Sequence, residues 1–387
     1  MNVPIEHSRY DVVVAGARVA GAATALLLAR AGLRVLVVDP LPRGRDTLST
    51  HALMRGAVLQ LHRWGLLDRI RAAGTPALGV TTFDYGDEEI TVPIKPKDGV
   101  DALYAPRRTV LDPVLGEAAV VAGAEVVHGA RFVDVTRDAR GRVDGAWIEA
   151  RGRRVRVAAS WVVGADGARS RVARGVGARI RRRATHTTAT IYGYWPGLPA
   201  QGYRWIFRPG VGAGVIPSND GLACVFVSVP PSVLRREGRP GLPVLFARAI
   251  RPVDEELADR TAGEPVGPLR AFAGMRGFVR RSVGPGWVLV GDAGFFRDPL
   301  TAHGISDALR DAELLARAIL LGTDESIRTY ETSRDAVSRG LMEVTDAIAS
   351  LAWSMEEVKA LHHRLSEEMK VGTRLIESWD PPGSVAA

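Results

Sequence analysis

The apolar residues at the start of the chain form strand-like segments on both sides of a helix-like segment. Residues 10–15 are rich in β-branched residues, residues 22–31 are strong helix formers, and residues 34–38 are β-branched again. Gly32 stands between the last two segments, where the residue after a helix often adopts a left-handed conformation. This order predicts a strand, a helix and a second strand, which together form a βαβ unit.

After this unit the sequence predicts elements outside the parallel sheet of the βαβ unit, and then further strands that belong to that sheet. A helical period runs over 52–73, and two short strand-like segments, 80–86 and 88–94, flank an acidic turn. A second helix is predicted over 104–122. Four strand-like segments follow, and the last is apolar throughout, which is typical of a strand buried in a parallel sheet: 124–127, 143–149, 153–157 and 161–163.

Residues 184–230 show a different pattern, in which aromatic or β-branched residues alternate with others. Such alternation is typical of a half-buried antiparallel sheet. Beyond it, a helix is predicted over 242–250, an apolar strand over 287–290 and a long helix from near Ile305. The C-terminal third is mostly helical, and the last eight residues, from Asp380, are predicted to be loose.

The first βα turn carries the residues that a phosphate-binding turn needs. Gly16 ends the strand, Gly21 stands where the helix packs closely against it, and Asp39 ends the second strand. The helix N-terminus offers N–H groups to a pyrophosphate, and the Asp39 carboxylate can accept hydrogen bonds from a ribose. Arg18 stands in place of the usual second glycine, so a side-chain cation can substitute for close backbone approach. Taken alone, this turn fits an ordinary α/β protein equally well.

Three further segments stand at the end of a predicted strand or the start of a predicted helix, where open parallel sheets bind ligands. They are RRTVLD at 107–112, GADGARSRV at 164–172 and GDAGFFRDPLTAHGISDALRDAELLA at 291–316. With the first turn, they resemble the FAD-dependent monooxygenases of the aromatic hydroxylase family, typified by para-hydroxybenzoate hydroxylase. Geranylgeranyl reductases and flavin-dependent halogenases are relatives of that family, and the resemblance covers residues 9–345.

Pattern and resemblance together predict an α/β fold. A Rossmann-like FAD-binding domain with a parallel sheet is interleaved with an antiparallel β-sheet substrate domain and followed by a helical C-terminus. The FAD-binding domain is predicted at 9–75, 101–180 and 271–345, and the substrate domain at 76–100 and 181–270. Residues 346–387 are predicted to form a C-terminal helix and a loose tail.

The resemblance also implies roles for single residues, most of them at strand ends or helix starts. Asp39 would hold the adenosine ribose, and Asp292 would reach the ribityl or pyrophosphate region. Asp166 and Gly167 match a motif associated with both FAD and NAD(P)H. The segment from Pro299 to Ile305 would wrap the isoalloxazine ring. The implied cofactor-binding residues are Gly16, Arg18, Gly21, Asp39, Arg108, Asp166, Gly167, Gly291, Asp292, Pro299, Gly304 and Ile305.

Two histidines are candidate catalytic residues. His303 lies inside the longest motif, where the family has a glutamine and an asparagine and this chain has His303 and Ser306. Proximity to the flavin does not by itself give His303 an acid–base role. His51 lies in a loop before a helix, and the resemblance places it near the flavin ring. A solvated loop histidine or a helix-capping cluster fits His51 equally well.

The aromatic residues of the predicted sheet have two interpretations. Ordinary packing of one sheet face explains most of the five, which are Tyr192, Tyr194, Trp195, Trp205 and Phe207. Because the family places its substrate cavity between such a sheet and the flavin, two or three of these rings are expected to line an apolar pocket. The candidate pocket residues are Tyr192, Tyr194, Trp205 and Phe207.

Composition excludes several other classes of protein. The 387 residues can bury a sizeable core, and 51 Lys and Arg against 43 Asp and Glu give a formal charge of +8, which favours an anionic partner such as a phosphate-bearing cofactor. Cys224 is the only cysteine, so a disulfide framework and a multi-cysteine metal site are excluded, and no metal site is predicted. Cys224 itself is predicted to be a small buried hydrophobe.

The remaining patterns favour a cytoplasmic protein without a membrane span. The N-terminal residues lack the layout of a signal peptide, and the most apolar stretch is shorter than the ~20 residues that a bilayer span needs. The arginine-rich runs 151–156 and 179–183 are interpreted as strand edges or turns, because no nucleic-acid-binding module accompanies them. The oligomeric state is left open.

The functional prediction is an FAD-dependent oxidoreductase. The resemblance implies a monooxygenase in which NAD(P)H binds transiently, reduces the flavin and leaves before O₂ reacts to form a C4a-hydroperoxide, with an apolar or aromatic small molecule as substrate. The alternative is a geranylgeranyl-reductase-like enzyme that reduces a carbon–carbon double bond without oxygen; residues 203–207, YRWIF, partly match that group, and the match ends at Arg208. A halogenase and a flavin-binding protein without turnover are further alternatives.

Overall fold

The structure, a computed structural model, describes residues 5–199, 201–236 and 241–380. In this part of the chain the helices are α1 (Val19–Arg30), α2 (Arg55–Arg63), α3 (Leu67–Ala72), α4 (Arg108–Val121), α5 (Arg171–Gly175), α6 (Pro231–Arg236), α7 (Leu242–Ile250), α8 (Glu255–Arg260), α9 (Gly304–Leu321), α10 (Asp324–Ile348) and α11 (Met355–Glu377). The strands are β1 (Arg9–Ala15), β2 (Val35–Asp39), β3 (Val80–Asp84), β4 (Glu89–Pro93), β5 (Glu125–His128), β6 (Ala130–Arg137), β7 (Val143–Ala150), β8 (Arg153–Gly164), β9 (Ile180–Arg183), β10 (Ala189–Pro196), β11 (Gly202–Arg208), β12 (Val211–Pro217), β13 (Leu222–Val229), β14 (Arg270–Phe272), β15 (Phe278–Arg280), β16 (Val283–Gly284), β17 (Trp287–Leu289) and β18 (Phe295–Phe296).

The first sheet carries the predicted βαβ unit. Its strand order is β16-β17-β8-β1-β2-β5, and β7 and β6 extend from β8 as an antiparallel ribbon. Strands β17, β8, β1, β2 and β5 run parallel. Helices α1, α4 and α9 pack on one face, while the β6–β7 ribbon and α5 cover the other. The predicted α/β fold class is therefore confirmed.

Helix α1 is buried on nearly all sides because it lies between the sheet and the helices α4 and α9. Small and aliphatic residues fill almost every position from Val19 to Ala29, as expected for a helix without a solvent face. The helix ends at Arg30 with Ala31 as its C-cap, and Gly32 follows in the predicted left-handed conformation, with φ of 84°. Because α1 is packed on nearly all sides and begins four residues after β1 ends, its N-terminus is fixed at the carboxyl end of β1.

The second sheet has seven strands in the order β14-β10-β13-β12-β11-β3-β4. It is antiparallel as predicted, except that β3 runs parallel to β11. The β3–β4 hairpin lies far from β11 in the sequence, and no turn connects β3 to β11. No hairpin connection therefore imposes an antiparallel direction on this pair. Both of the segments assigned to a substrate domain contribute strands to this sheet; the domain boundaries themselves stay a prediction.

The two faces of the second sheet pack against different partners. One face, which carries Tyr192 and Phe207, joins the core that also contains α1, α2 and α9. The opposite face, which carries Ile191 and Trp195, is covered by α7 and α8. A small third sheet, β18-β15-β9, and the C-terminal helices α10 and α11 complete the described structure.

Three predicted boundaries are wrong for local reasons. The helix predicted over 52–73 is two helices, because Gly65 adopts φ of 72° between α2 and α3. The helix predicted over 104–122 begins only at Arg108, since Tyr104 instead pairs with Leu53 as a β-bridge. The segments 153–157 and 161–163 form one strand, β8, whose first half pairs with β7 and whose second half pairs with β1.

Cys224 is fully buried in β13, as predicted. The arginine runs lie at the start of β8 and on β9, where Arg181 and Arg182 form ion pairs with acidic residues of α10. Across the described ranges, no helix is both long and apolar enough to cross a bilayer. The predicted loose tail, apart from Asp380, lies outside the described residues.

Candidate active site

The first βα turn requires glycine at two positions. Gly16 has φ of 106°, and a Cβ there would lie 2.4 Å from the Ala165 carbonyl oxygen. A Cβ on Gly21 would lie 1.8 Å from the Gly16 carbonyl oxygen. Both distances are far below van der Waals contact, so the turn packs α1 against β1 and against the end of β8 with no room for a side chain.

Asp39 fixes the other side of this turn. Its Oδ2 accepts a hydrogen bond from the Ala17 N–H at 2.9 Å, and its Oδ1 accepts one from the Leu41 N–H at 2.8 Å. The carboxylate is buried and joins the ends of β1 and β2 at the carboxyl edge of the sheet. Each oxygen keeps a second lone pair, so Asp39 can also accept hydrogen bonds from a ligand hydroxyl.

A cavity of about 420 Å³ opens beside Asp39. Its walls come from the first turn, the loop after β2, α4 and the end of β5, and they include Arg18, Asp39, Asp112 and His128. Such a volume suits a nucleoside-sized group. The cavity therefore lies where the sequence analysis expects the adenosine half of a dinucleotide.

Two arginines lie at this cavity: Arg18 lines it, and Arg108 is paired with Asp112 in its wall. Arg108, at the start of α4, forms a bidentate ion pair with Asp112, with Nε–Oδ1 and Nη2–Oδ2 distances of 2.7 and 2.9 Å. Arg18 precedes α1, and burial followed by the Arg108 charge lowers the pKa of the Arg18 guanidinium. Arg18 precedes α1 and Arg108 begins α4, so both cations stand at helix starts, where they can supply the positive charge that a pyrophosphate requires.

The end of β8 meets the first turn directly. Ala165 N–H donates to the Ala15 carbonyl at 2.8 Å, so the GADG segment lies beside Gly16. Asp166 Oδ2 accepts from the Arg171 N–H at 2.6 Å and so holds the start of α5. Its Oδ1 is buried without a hydrogen-bond partner among the described residues. Gly167 follows in a left-handed turn.

The segment after β17 approaches from the other side of α1. Gly291 adopts φ of 58°, and a Cβ there would lie 2.9 Å from Ala20 Cβ, so the turn lies close against the first turn of α1. Asp292 has many atoms around it, yet its side chain remains exposed to solvent. Burial and the Asp307 carboxylate raise the pKa of Asp292 to about 6. The raised pKa lets Asp292 hold a proton, and so donate to a ligand oxygen, at a higher pH than an ordinary carboxyl group does.

The start of α9 is the most open part of the site. Pro299 and Gly304 are exposed, and Ile305 is half-buried. Ala302 adopts φ of 50° and turns the chain into the helix at His303. The first N–H groups of a helix have no intrahelical partner, so this exposed N-terminus can receive negative charge. The four predicted segments thus converge at one edge of the first sheet.

A buried charge network lies directly behind this N-terminus. His303 Nδ1 and Asp307 Oδ1 lie 3.2 Å apart, while Arg297 and Arg310 both form ion pairs with Asp307. Burial would raise the pKa of Asp307, but Arg297, Arg310 and His303 together hold it well below its usual value. Burial lowers the pKa of His303, and Asp307 offsets part of that effect. Asp307 is therefore a fixed carboxylate beside a neutral imidazole.

The predicted pocket residues share one face of the second sheet. Tyr192, Tyr194, Trp205 and Phe207 are all buried and belong to the core that also contains Leu300. Trp195 lies on the opposite face, stacked on Phe246 of α7 with ring centroids 5.1 Å apart. The structure thus brings four of the five rings to the side that faces the candidate cofactor segments. Whether any of them lines a substrate pocket stays a prediction.

His51 is held against this aromatic face. Its Nε2 hydrogen-bonds to the Tyr194 hydroxyl, its backbone adopts φ of 69°, and its Nδ1 is buried without a partner in the described part of the chain. Burial, followed by the Arg108 charge, lowers the pKa of His51 to about 3. His51 is therefore a buried neutral histidine, and its interpretation as a solvated loop residue is wrong.

Sequence reasoning missed the residues that support these two histidines. Arg107, beside the predicted Arg108, stacks on Tyr194 with its guanidinium carbon 3.9 Å from the ring centroid. Asp46 holds Arg107 at 3.1 Å from the loop before His51. Only Asp307 had a usable signal in the sequence, because it lies four residues after His303 on one predicted helix.

These features fit a flavin dinucleotide. A nucleoside-sized cavity beside Asp39, a glycine-lined turn with nearby cations, and an exposed helix N-terminus follow one another along the same edge of the sheet. The unpartnered Asp166 Oδ1 leaves acceptor capacity at the middle of this edge. No group of histidine, cysteine or acidic residues that could hold a metal ion occurs in the described ranges.

Comparisons with known proteins point in the same direction. A family model described as "FAD binding domain" matches residues 9–345. The menaquinone reductase of Mycolicibacterium smegmatis is 32% identical over 365 residues, which cover 86% of this chain and 82% of that protein. The digeranylgeranylglycerophospholipid reductase of Methanothrix thermoacetophila is 26% identical over 379 residues, covering 93% of this chain and 92% of that protein.

Solved structures share the architecture over nearly the whole chain. The flavin-dependent brominase Bmp2 superposes with a TM-score of 0.79 at 21% identity and covers 97% of this chain and 96% of its own. PqsL of Pseudomonas aeruginosa, a probable FAD-dependent monooxygenase, superposes with a TM-score of 0.78 at 21% identity and covers 94% of this chain and 100% of its own. At this identity the likeness shows the fold alone.

Proposed function

The chain belongs to the family of FAD-binding domains and is an FAD-dependent oxidoreductase; from this premise we propose that it reduces a carbon–carbon double bond in an apolar, polyprenyl-like molecule. A nicotinamide nucleotide, NADH or NADPH, serves as the source of electrons in this proposal. Molecular oxygen is not a substrate. The monooxygenase expected from the aromatic hydroxylase resemblance becomes the second candidate.

The observation that carries the proposal is the neutral, aromatic character of one face of the second sheet, the face that shares a core with α9. Tyr192 and Tyr194 are buried, and burial above all raises the pKa of both phenols, to about 12 for Tyr192. His51, which bonds to Tyr194, is neutral because its pKa is about 3. A surface of neutral rings favours a substrate without charge, because a charged group would lose its hydration there. Arg107, the cation stacked on Tyr194, is already paired with Asp46 at 3.1 Å.

The curated relatives support reduction rather than oxygenation. Two relatives that match this chain over most of their length are named as a menaquinone reductase and a digeranylgeranylglycerophospholipid reductase. The second name contains the geranylgeranyl group, a long unsaturated hydrocarbon. The brominase and the probable monooxygenase match at 21% identity, so they support the shared architecture and not a particular reaction.

When bound, FAD supplies the chemistry of hydride acceptance and donation. The residues of this chain hold it and shape its surroundings. Asp39 would accept hydrogen bonds from the ribose, while Arg18 and the N-terminus of α1 would offset the pyrophosphate charge. The N-terminus of α9 would stabilise negative charge on the ring system, and the aromatic face would exclude water from the substrate.

A monooxygenase remains the second candidate because one sequence feature separates this chain from the reductase group. The aromatic signature YRWIF over 203–207 is followed by Arg208 where that group has proline. Arg208 forms an ion pair with Asp84 at 2.9 Å, so it is part of the sheet and not a substitution at a loop. An apolar, water-poor site also suits the protection of an oxygenated flavin.

One experiment separates the two candidates. The flavin-loaded protein is reduced by NADH or NADPH without oxygen and mixed with geranylgeranyl compounds, menaquinones, phenols and indoles. A product that gains two hydrogens without oxygen, with reoxidation of the flavin, is the expected result. A product that gains one oxygen atom, formed only in air, would overturn the proposal and establish the monooxygenase. No product in either atmosphere, with a flavin that NAD(P)H does not reduce, would support a binding protein without turnover.

A further inference from the structure

The network behind the N-terminus of α9 places one accessible ring nitrogen at the open part of the site. The Asp307 carboxylate accepts a hydrogen bond from His303 Nδ1–H, because an ionised carboxylate has no proton to donate. This bond fixes the tautomer of the neutral ring and leaves a lone pair on Nε2. Nε2 has no hydrogen-bond partner among the described residues. It is also not among the unpartnered side-chain atoms that are buried there, so it is accessible to solvent.

We propose that His303 is the proton-exchanging residue of the reaction and that Asp307 is the positioning residue that orients it. The inference rests on the proposed double-bond reduction. Such a reduction breaks the π bond and forms two C–H bonds, one from a hydride and one from a proton. The reduced flavin, recharged by NAD(P)H, supplies the hydride with both electrons. The proton comes from Nε2–H of the His303 imidazolium, which returns to the neutral imidazole and regains a proton from solvent.

The position of His303 favours it over the other candidate acids. His51 Nδ1 is enclosed, and its Nε2 is bonded to Tyr194, so neither nitrogen reaches solvent. The pKa of Tyr194 is raised by burial beyond the range useful to an acid at neutral pH. His303 immediately precedes the exposed Gly304, and 9% of its side chain remains accessible. It is thus a titratable group at the flavin-facing segment that can exchange a proton with bulk water.

Asp307 is braced so that it keeps its charge and its direction. Arg297 bonds to Oδ2 and Arg310 lies 3.0 Å from Oδ1, the oxygen that also receives His303. The charged groups facing the ring are Asp307 and Arg310 on α9 and Arg297 on the segment before it, with Asp292 near Asp307. Burial and the two arginines oppose the imidazolium, whereas Asp307 stabilises it, so the protonated form is a stronger acid than an ordinary imidazolium and a minor species at neutral pH.

The test compares His303→Gln with His363→Gln, a matched change at an exposed histidine of α11. Both variants are loaded with FAD, and their flavin content and melting temperature are checked against the unaltered protein. In single turnovers from the anaerobically reduced state, the unaltered protein is expected to react more slowly as pH rises through the His303 pKa, below 6.5. His303→Gln is expected to lose this limb and to react about 10²-fold or more slowly, while His363→Gln keeps both.

A second measurement needs no turnover. In protein with ¹⁵N-labelled histidine, one resonance pair is expected to show the Nδ1–H tautomer, to vanish in His303→Gln and to change tautomer population in Asp307→Asn. If double-bond reduction occurs and His303→Gln keeps both the rate and the pH limb, or if the resonance shows Nε2–H, the proposal is overturned while the proposed function stands. If the unaltered protein reduces no double bond, the proposed function fails and this inference falls with it.

Discussion

The turn at the end of β1 and the aromatic face of the second sheet use different parts of the chain to build a surface. The turn is built from backbone: two glycines that no other residue can replace, N–H groups at a helix start, and one carboxylate that bonds to backbone. The aromatic face is built from side chains that alternate along strands and interlock with helices distant in sequence. A backbone surface tolerates no change at a few positions, whereas a side-chain surface can change gradually at many.

The largest effect on cofactor binding is expected from Gly21→Ala, which adds a single methyl group to the turn. The new Cβ would lie 1.8 Å from the Gly16 carbonyl oxygen, so α1 must move away from the phosphate-binding turn. The purified protein is expected to hold about tenfold less FAD or lower still, which corresponds to a loss of at least ~1.4 kcal/mol in binding. Flavin absorbance per protein measures this.

Gly79→Ala provides the matched control for that change. A methyl group on Gly79 would meet no atom within 4 Å, and Gly79 does not adopt a left-handed conformation. Its flavin content and thermal midpoint are expected to stay at the level of the unaltered protein. Full flavin content in Gly21→Ala would show that the turn is not the part that holds the cofactor.

The largest effect on stability is expected from Phe207→Ala on the aromatic face. Phe207 lies against His362 of α11, with ring centroids 4.2 Å apart, and against Trp353 at 6.2 Å. Removing the ring leaves a cavity between the sheet and the C-terminal helices and is expected to lower the free energy of unfolding by about 3–5 kcal/mol. Denaturant titration measures the loss, and Phe207→Leu should lose clearly less because it refills most of the volume.

The comparison also explains which parts of the site are predictable from the sequence. Gly16, Gly21 and Asp39 can be identified because a backbone-built turn imposes a fixed spacing. The hydrogen bond between His51 and Tyr194 joins residues 143 positions apart, and no local pattern reports such a contact. The motif identifies Arg108, yet its neighbour Arg107 makes the contact with the aromatic face. The break at Gly65 escapes the pattern because apolar periodicity continues across it.

Acid should destabilise the aromatic side of the molecule through buried histidines. Burial lowers the pKa of His51 and of His362 to about 3, and their unfolded value is 6.5. Between these values the unfolded state binds more protons than the folded state, so stability is complete above about pH 6.5 and falls as the pH drops toward 3.

His362→Phe tests this without removing the ring. Each such histidine contributes a slope of up to about 1.4 kcal/mol per pH unit, and the variant is expected to lose one of these contributions between roughly pH 4 and 6. The variant also leaves the Tyr85 hydroxyl, which bonds to His362 Nδ1 at 2.8 Å, without that partner. The slope with pH, and not the stability at one pH, is therefore the measurement that decides. An unchanged slope would show that His362 is protonated in the folded protein.

The smallest effect is expected from an exposed ion pair on the outer ribbon of the first sheet. This change tests whether the losses in stability and FAD content predicted above come from burial or only from the position of a residue in the sheet. Arg156 Nη2 lies 2.7 Å from Asp144 Oδ2, and 51% of the arginine side chain is exposed. Solvent and salt screen such a pair, so Arg156→Ala is expected to cost at most about 1 kcal/mol of unfolding free energy and to leave FAD content unchanged. Denaturant titrations at low and high salt check this, since the cost should shrink as salt rises. A loss as large as that of Phe207→Ala would mean that the β6–β7 ribbon supports the sheet through its charges, and the contrast between a backbone-built turn and a side-chain-built face would then not describe the molecule.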